Sequence, residues 1–311
     1  MVIEALENLY RSEAEKDNAK KRDPFRASSA GRCERALGYQ KLGINGKPLQ
    51  PRRLAVMKHG TIIHTALTRD LGRALGDRFV PEKKLTARKK LFTTIEGIKI
   101  SYHPDGALQL PDDRLAIVEF KTMADFSFQR ATNGEIDREY LCQAYVYHVG
   151  TDFPVVIFLA YRKETSHLVS IVFDRDANET TVVQRFGGDP MELATKDPLE
   201  LTEIRTPFDD SVAEEVRGKY RRLGALKTEA DLAPGVRAIE DEVVKVQGKE
   251  KGIQYQRDYG EPIKIAGSWY TFATGRKIAG YPCSYCSHVE SCLGAKLEIK
   301  DSKPLWLIEA V

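Results

Sequence analysis

Two sets of residues in this chain have types and spacings that could do chemistry. The first set lies in the middle of the chain and consists of His64, Asp105, Glu119, Lys121, Gln143 and Tyr147. The second set is four cysteines, an early Cys33 and a late group of Cys283, Cys286 and Cys292. Carboxylates suit a hard divalent cation, whereas thiolates suit zinc or an iron–sulfur cluster. The sequence therefore predicts two sites, and the first has the groups that a metal-dependent phosphodiesterase needs.

The carboxylates of the first set are expected at the ends of strands. Glu119 follows the apolar run 115–118, which is typical of a buried central strand. Alternation along that strand sends Glu119 and Lys121 to one face and buries Phe120 on the other. The carboxylate could then hold a metal ion while the ammonium orients water or contacts phosphate. Asp105 precedes Gly106 and is expected at a turn or strand end. A Glu-x-Lys pair on its own is also an ordinary surface pattern.

The remaining members of the first set are expected on helices. His64 falls in a predicted helix from about 53 to 75, where a histidine without any role is the alternative. Gln143 and Tyr147 stand four residues apart in a predicted helix from about 136 to 149, so they share one face. They could grip substrate or support the lysine, or they could simply form a half-buried polar face.

These residues, taken in order, resemble a known family. Pro104-Asp105 with Glu119-Phe120-Lys121 resembles the PD-(D/E)XK nuclease motif. Residues 60–64 resemble the upstream histidine motif of its RecB-type branch, and the pair Gln143 and Tyr147 resembles the Q-x-x-x-Y motif of that branch. The cysteine arrangement is similar to that of the iron–sulfur members, which include the AddB nuclease domain and the CRISPR-adaptation exonucleases. The resemblance runs from about residue 28 to about residue 293, but only the motifs carry it.

The resemblance implies a fold, a chemistry and two cofactors. The fold is an α/β restriction-endonuclease-like core, a mixed central sheet flanked by helices, with helical N- and C-terminal additions joined by a metal cluster. The ligands of Mg²⁺ or Mn²⁺ would be His64, Asp105, Glu119 and the carbonyl of Phe120, with Lys121 catalytic. The resemblance favours a structural [4Fe–4S] cluster held by Cys33 and the three late cysteines. The expected activity is that of a DNA nuclease, in particular an exonuclease on single-stranded DNA or duplex ends.

The residues alone leave other interpretations open. Thiolate chemistry does not separate iron from zinc, and His288 inside the late cysteine group could be a zinc ligand. Cys142 is left over and is expected to be a small buried hydrophobe. A sequence-specific endonuclease and a DNA-binding module that does not cut are rival functions. The complete set of catalytic residue types argues against the second rival.

The predicted organisation is a single nuclease domain over 1–311. Its core spans about 50–175, its cluster-binding parts are 28–45 and 280–295, and about 175–265 is an unassigned insertion. Within the insertion, an amphipathic helix is expected over about 209–226. The charged stretch 238–260 is expected to be mobile. The first thirty residues are expected to contain a charged helix that breaks at Asp23-Pro24, and Cys33 is expected in the first turn of a helix that Ser28-Ser29 caps.

Composition limits the class of protein. The 311 residues are 42% hydrophobic, which is enough for a packed interior, and the formal net charge is only +3. Local basic clusters could still follow a phosphate backbone or be a solvated surface; they are 20–22, 52–53, 83–84 and 88–90. No apolar run approaches the ~20 residues of a membrane span, and the first residues do not resemble a signal peptide. The sequence thus predicts a cytoplasmic protein without a membrane partner, and the resemblance implies a bacterial, archaeal or phage-infected cell with DNA as the partner. A helicase or recombination partner is compatible with it.

Overall fold

The structure is a computed structural model that describes residues 2–18, 25–44, 46, 48, 50–86, 91–185, 201–232, 239–246, 263–265, 268–279, 288, 292, 295–300 and 303–308. The chain divides into two compact units. Unit 1 comprises Met1–Arg32 and Leu49–Ala225, and unit 2 comprises Cys33–Pro48 and Leu226–Val311.

The helices and strands are numbered in chain order. The helices are α1 (Val2–Asn18), α2 (Glu34–Lys41), α3 (Pro51–Leu75), α4 (Glu82–Leu85), α5 (Asp125–Thr132), α6 (Arg138–Gly150) and α7 (Ser211–Ala225). The strands of unit 1 are β1 (Phe79–Pro81), β2 (Phe92–Ile95), β3 (Ile98–Ser101), β4 (Gly106–Gln109), β5 (Leu115–Met123), β6 (Val155–Arg162), β7 (Leu168–Asp174), β8 (Glu179–Arg185) and β9 (Leu201–Pro207). The strands of unit 2 are β10 (Ile239–Val246), β11 (Ile263–Ile265), β12 (Ser268–Ala279), β13 (Ala295–Lys300) and β14 (Lys303–Ile308).

Unit 1 is built on a seven-stranded sheet with the order β1-β4-β5-β6-β7-β8-β9. Only the central pair β5 and β6 is parallel, and every other neighbouring pair in this sheet is antiparallel. The parallel pair needs a crossover, which α5 and α6 provide. Strands β2 and β3 form a separate hairpin. Its two-residue turn places Glu96 and Gly97 at φ values of 49° and 76°, the left-handed conformation that tight hairpins require.

Helices cover both faces of the central strands. Leu67, Leu71 and Leu75 lie four residues apart on α3 and pack against a core of Phe79, Val118 and Phe120. Since strand residues alternate between faces, Glu119 and Lys121 lie on the opposite face, where α6 contributes their hydrogen-bond partners. The helix α3 begins with Pro51 at its first position and ends at Gly76, whose φ is 56°. The sequence thus sets both ends of the helix that carries His64.

Unit 2 contains α2 and a five-stranded sheet. The sheet has the order β10-β12-β14-β13, with β11 paired to β12, and its pairs are antiparallel. Within this unit the ammonium of Lys41 on α2 donates a hydrogen bond to the carbonyl of Leu226 at 3.0 Å. Tyr39 on α2 packs face to face on His288, with ring centroids 5.0 Å apart.

The structure confirms the predicted mixed α/β class, with a large and mostly antiparallel central sheet flanked by helices. The prediction of a helical C-terminal addition is wrong, because the described residues after 238 form mainly the five-stranded sheet of unit 2. The helices over 53–75, 136–149 and 209–226 are confirmed, as is a strand at 115–118 that continues to Met123. Residues 175–265, which the sequence left unassigned, supply β8 and β9 of the central sheet and helix α7. The single-domain prediction itself stays a prediction.

Some local predictions need correction. Residues 239–246 form β10, so the prediction of a mobile segment is wrong for them, while 247–260 lie outside the described residues. Cys33 is the residue that precedes α2 rather than a member of its first turn. Ser29 instead closes a short 3-10 turn, Ala27–Ser29, by bonding the backbone of Arg26. Among the described residues, none of the helices is both long and apolar enough to cross a bilayer.

Candidate active site

The site forms where β4 and β5 separate. The pairing of these strands ends with Gly106 opposite Val118, so β5 continues alone on that edge while the chain turns away at Asp105. Gly106 is required here because a Cβ would lie 2.4 Å from the ring of Phe79. Asp105 Oδ2 accepts a hydrogen bond from the Phe120 backbone N–H at 2.7 Å. The side chain of Asp105 therefore takes the place that a neighbouring strand would occupy.

The same edge of β5 faces His64. The Nδ1 atom of His64 lies 3.3 Å from Asp105 Oδ1, and its ring meets the ring of Phe120 edge to face at 5.6 Å. Both polar side chains are partly open, with 32% of the His64 side chain and 19% of the Asp105 side chain exposed. Because the N–H and C=O of one strand residue point to the same edge, the Phe120 carbonyl also faces this pair. An imidazole nitrogen and a carboxylate are thus paired at this edge, to which the backbone carbonyl of Phe120 also points.

Glu119 has very different surroundings, since three donors hold its carboxylate. Oε1 accepts from the Lys121 ammonium at 3.1 Å and from the Gln143 amide at 3.0 Å. Oε2 accepts from the Tyr147 hydroxyl at 2.7 Å. Gln143 and Tyr147 are both buried, and their side chains are themselves 3.1 Å apart. The spacing of four residues on α6 places both side chains on one face, as the sequence predicted, and the structure turns that face towards Glu119.

Lys121 connects these groups. Its ammonium donates to Gln143 Oε1 at 2.7 Å as well as to Glu119, and only 16% of its side chain is exposed. Two aromatic rings lie beside the ammonium, that of Tyr140 at 5.2 Å and that of Phe158 at 5.1 Å. The chain therefore holds this cation from several sides.

Burial sets the protonation of the tyrosine. Desolvation, followed by the attraction of the proton to the Glu119 carboxylate, raises the pKa of Tyr147 well above its ordinary value of 10. Tyr147 is consequently a permanent hydrogen-bond donor to Glu119. Cys142 lies on the same helix but is bonded to Glu215 rather than to the site, and burial raises the pKa of its thiol to about 12. That thiol is an inert, buried group, as its sequence context predicted.

The predicted metal ligands are neighbours, but they are not assembled around one point. In the part of the chain that the structure describes, no group of three or more His, Cys, Asp or Glu side chains is placed to hold a metal ion. His64 and Asp105 form an open pair, while Glu119 faces its three donors. The donor set of one imidazole, two carboxylates and a carbonyl fits Mg²⁺ or Mn²⁺ in chemistry, and Glu119 would join it by exchanging partners.

The second predicted site falls in unit 2, where the structure describes two of the four cysteines. Cys33 and Cys292 both belong to this unit, and Cys283 and Cys286 lie outside the described residues. The backbone N–H of Cys292 donates to the carbonyl of His288 at 2.8 Å, and His288 is the residue stacked on Tyr39 of α2. The segment that follows Cys33 and the segment that precedes Cys292 are therefore in contact.

Arg35 adds a positive charge next to these segments. Burial lowers its pKa, but a hydrogen bond to the Tyr39 hydroxyl and attraction to Tyr39, Cys292 and Glu229 outweigh it, so the pKa is raised.

Comparison with known proteins gives little further information. The sequence matches no protein-family profile and no curated protein. Among solved structures, it is similar to SSO0001, with 14% identity, a TM-score of 0.39, and coverage of 73% of this chain and 87% of that one. It is also similar to LHK-Exo in complex with dAMP, with 15% identity, a TM-score of 0.38, and coverage of 65% and 88%. A second structure of LHK-Exo is that of an alkaline exonuclease from Laribacter hongkongensis. It has 16% identity and a TM-score of 0.25, and the match covers 64% of this chain and 91% of that one. Similarities this low carry no argument for this chain, so its function is argued from its own site.

Two residues of the site were not found from the sequence. Tyr140 precedes Gln143 by three residues, so helical spacing alone could have placed it on the same face. Phe158 lies opposite Glu119 in the parallel pairing of β5 and β6, and that register cannot be read from the sequence. Arg52, Arg53, Lys83 and Lys84 of the predicted basic clusters are exposed, and clusters 20–22 and 88–90 lie outside the described residues.

Proposed function

We propose that this chain is a metal-dependent DNA nuclease, and specifically an exonuclease that acts on single-stranded DNA or duplex ends. One observation carries the proposal. Residues from α3, the turn before β4, β5 and α6 meet in two adjacent bonded groups, His64 with Asp105 and Glu119 with Lys121, Gln143 and Tyr147. Structural needs alone do not favour such a concentration of charged and polar groups, since burying them is costly unless each is paired.

Each residue has a role in this proposal. His64, Asp105, Glu119 and the Phe120 carbonyl would hold Mg²⁺ or Mn²⁺. When bound, the ion supplies charge neutralisation at the scissile phosphate and lowers the pKa of a water. Asp105 keeps its orientation through the Phe120 N–H. Lys121 lies on the Glu119 side of the site and supplies a positive charge for the phosphate or a donor for the attacking water.

Gln143 and Tyr147 support the other groups. Gln143 binds Glu119 with its N–H and Lys121 with its carbonyl oxygen, so one side chain sets the distance between anion and cation. Tyr147, kept protonated by burial, holds the second oxygen of Glu119. Preorganised groups of this kind reduce the reorganisation needed in the transition state.

A cleavage assay tests the proposal. The protein with Mn²⁺ is incubated with end-labelled linear and with circular single-stranded DNA, and Lys121→Ala is compared with Lys99→Ala, which removes an exposed lysine of β3. Degradation of linear DNA alone, lost in Lys121→Ala and kept in Lys99→Ala, is the expected result. Cutting of the circle would identify an endonuclease. DNA binding without cutting, or full activity of Lys121→Ala, would overturn the proposal.

We also propose that Cys33, Cys283, Cys286 and Cys292 hold a structural [4Fe–4S] cluster, with zinc as the alternative. The stacking of Tyr39 on His288 and the attraction between Arg35 and Cys292 support a site that joins α2 to the late cysteine segment. Metal–thiolate bonding would then contribute directly to the stability of unit 2.

The metal content of protein purified without oxygen separates the two alternatives. About four irons per chain and a brown colour, both lost in Cys33→Ser and kept in Cys142→Ser, are expected for the cubane cluster. One zinc and no iron would leave only a zinc site, and neither metal would exclude both.

A further inference from the structure

The Lys121 ammonium lies beside two adjacent aromatic rings, and the proposed function makes no use of them. The ring centroids of Tyr140 and Phe158 are 5.2 Å and 5.1 Å from Nζ, within the distance at which a cation is attracted to the face of a ring. The two rings also contact each other edge to face, at 5.6 Å and 82°. They therefore form a corner of two adjacent rings, here called the aromatic box, on one side of the lysine ammonium.

The position of the box follows from the fold. Phe158 is fully buried on β6, directly opposite Glu119 in the parallel register. Tyr140 stands on the first turn of α6, three residues before Gln143, so it shares the face that carries the site. The box is thus built from the two elements that also hold Glu119 and Gln143.

A lysine side chain needs this support more than most side chains do. Its flexible four-carbon stem loses rotamer freedom when the ammonium is fixed, and its charge loses hydration when it is buried. Two of the three N–H groups are directed to Glu119 and Gln143, and within the described part of the chain the third is left for substrate or water. The ring faces supply favourable electrostatics without taking that third donor.

We propose that Tyr140, together with Phe158, is a positioning residue for Lys121: the aromatic box fixes the ammonium so that one N–H is presented to the phosphate or to the attacking water. The inference rests on the proposed function, since it assumes that Lys121 takes part in cleavage. What matters at position 140 is then the ring and not the hydroxyl.

The test uses Tyr140 because replacing the fully buried Phe158 would leave a cavity and risk unfolding. Tyr140→Leu removes the ring, Tyr140→Phe keeps it, and Tyr145→Leu is a matched control on the same helix, where the hydroxyl bonds Arg217 instead. We expect Tyr140→Leu to lower kcat about 10-fold with little change in KM. Tyr140→Phe and Tyr145→Leu should retain normal kcat.

A double-mutant comparison ties the effect to the lysine. In a Lys121→Ala background, Tyr140→Leu should cause no further loss, because the ring then has no cation to position. If Lys121→Ala itself is fully active, the proposed function fails. If Lys121→Ala is inactive but Tyr140→Leu is normal, or if the two losses simply add, only the aromatic box is refuted.

A spectroscopic measurement in metal-free protein is independent of activity. Protons held over aromatic rings resonate upfield, so the ε-methylene signal of Lys121, assigned by its loss in Lys121→Ala, should lie upfield of other lysines. The shift should persist in Tyr140→Phe and fall substantially in Tyr140→Leu, with melting temperatures confirming that both variants fold. An ordinary shift in the unaltered protein would refute the box.

Discussion

Asp105 and Glu119 carry the same chemical group and flank the same strand edge, yet they are held in opposite ways. Asp105 is partly exposed and contacts one backbone N–H and one imidazole. Glu119 is 8% exposed and accepts from Lys121, Gln143 and Tyr147. The Asp105 carboxylate is open to a cation, whereas the Glu119 carboxylate would first have to release its hydrogen-bond donors.

This difference reflects the different contacts that helices α3 and α6 make with the two carboxylates. The helix α3 presents His64 to an open edge, and α6 surrounds Glu119 with donors. A buried carboxylate without partners would be costly, so the α6 network stabilises the fold as well as the site. Function at Asp105 is therefore nearly separate from stability, whereas at Glu119 the two are coupled.

The largest effect should come from removing either carboxylate. We expect Asp105→Ala and Glu119→Ala each to lower cleavage by about 10³-fold or more, because both groups belong to the proposed ion site. Their effects on stability should differ. Glu119→Ala leaves three hydrogen-bond donors without an acceptor in a mostly buried place. It should lower the free energy of unfolding by about 2–4 kcal/mol, compared with about 1 kcal/mol for Asp105→Ala. Cleavage rates and chemical denaturation measure both, and equal losses of stability would remove the distinction between the two carboxylates.

A smaller effect should follow from changing the open pair. His64 is the nitrogen donor of the set, so His64→Asn should reduce cleavage with Mn²⁺ about 10–100-fold and reduce cleavage with Mg²⁺ less. Ca²⁺ should support little cleavage in any variant because its coordination is loose. His59→Asn, an exposed histidine on the same helix, is the control. Identical losses with both metals would argue against a ligand role for His64.

The hydrogen bonds around Glu119 can also be tested by a smaller change, Tyr147→Phe, which removes a single hydroxyl. Loss of one hydroxyl leaves Glu119 Oε2 without its 2.7 Å partner, and we expect a loss of about 1–3 kcal/mol in stability and about 10-fold in rate. Tyr145→Phe removes a hydroxyl that accepts a hydrogen bond from Arg217 outside the site, so it should leave the cleavage rate unchanged and lower stability less. Normal stability of Tyr147→Phe would mean that water replaces the hydroxyl, and the network would then be less enclosed than the structure indicates.

His148 gives a comparison outside the site, where the expected effect is on stability and not on cleavage. It follows Tyr147 on α6 and is buried, and desolvation, followed by repulsion from Arg175, lowers its pKa from 6.5 to about 4. In the window between these values the unfolded chain binds more protons than the folded one, so stability falls as the pH falls from 6.5 towards 4. The loss should approach about 3 kcal/mol near pH 4. Denaturation of His148→Phe across this range should lack that component, with partly exposed His167→Phe as control. If the pH dependence of stability were the same in His148→Phe, other titratable groups would be its cause.

Much of the site could be predicted because its signals are local. The spacing of Gln143 and Tyr147 follows from helical periodicity, and the common face of Glu119 and Lys121 follows from strand alternation. The relation between strands could not be predicted in this way. Phe158 meets Lys121 only because of the register of β5 and β6, and Asp105 reaches Phe120 only because β4 ends at Gly106.

The prediction of a mobile segment failed at residues 239–246 because it relied on their charge rather than on their β-branched residues. The segment Ile239–Val246 is rich in Glu and Asp, which favoured a mobile loop, but its β-branched residues pair with β12. Strands β8 and β9 were missed for a related reason. Polar and charged residues are mixed with the apolar residues of both strands, and the pairing of β8 with β7 and β9 makes them recognisable.

The crossover between β5 and β6 has a consequence for how the protein acquires activity as it folds. Parallel pairing of β5 and β6 joins residues that are far apart in sequence and requires the crossover through α5 and α6. Contacts of this non-local kind form slowly during folding. The same crossover delivers Tyr140, Gln143 and Tyr147. A chain caught before that step would already have β6, β7 and β8 paired as hairpins, yet Glu119 and Lys121 would lack their partners. The sheet can thus begin to form early, whereas the group of side chains that carries the proposed activity is complete only after this long-range pairing.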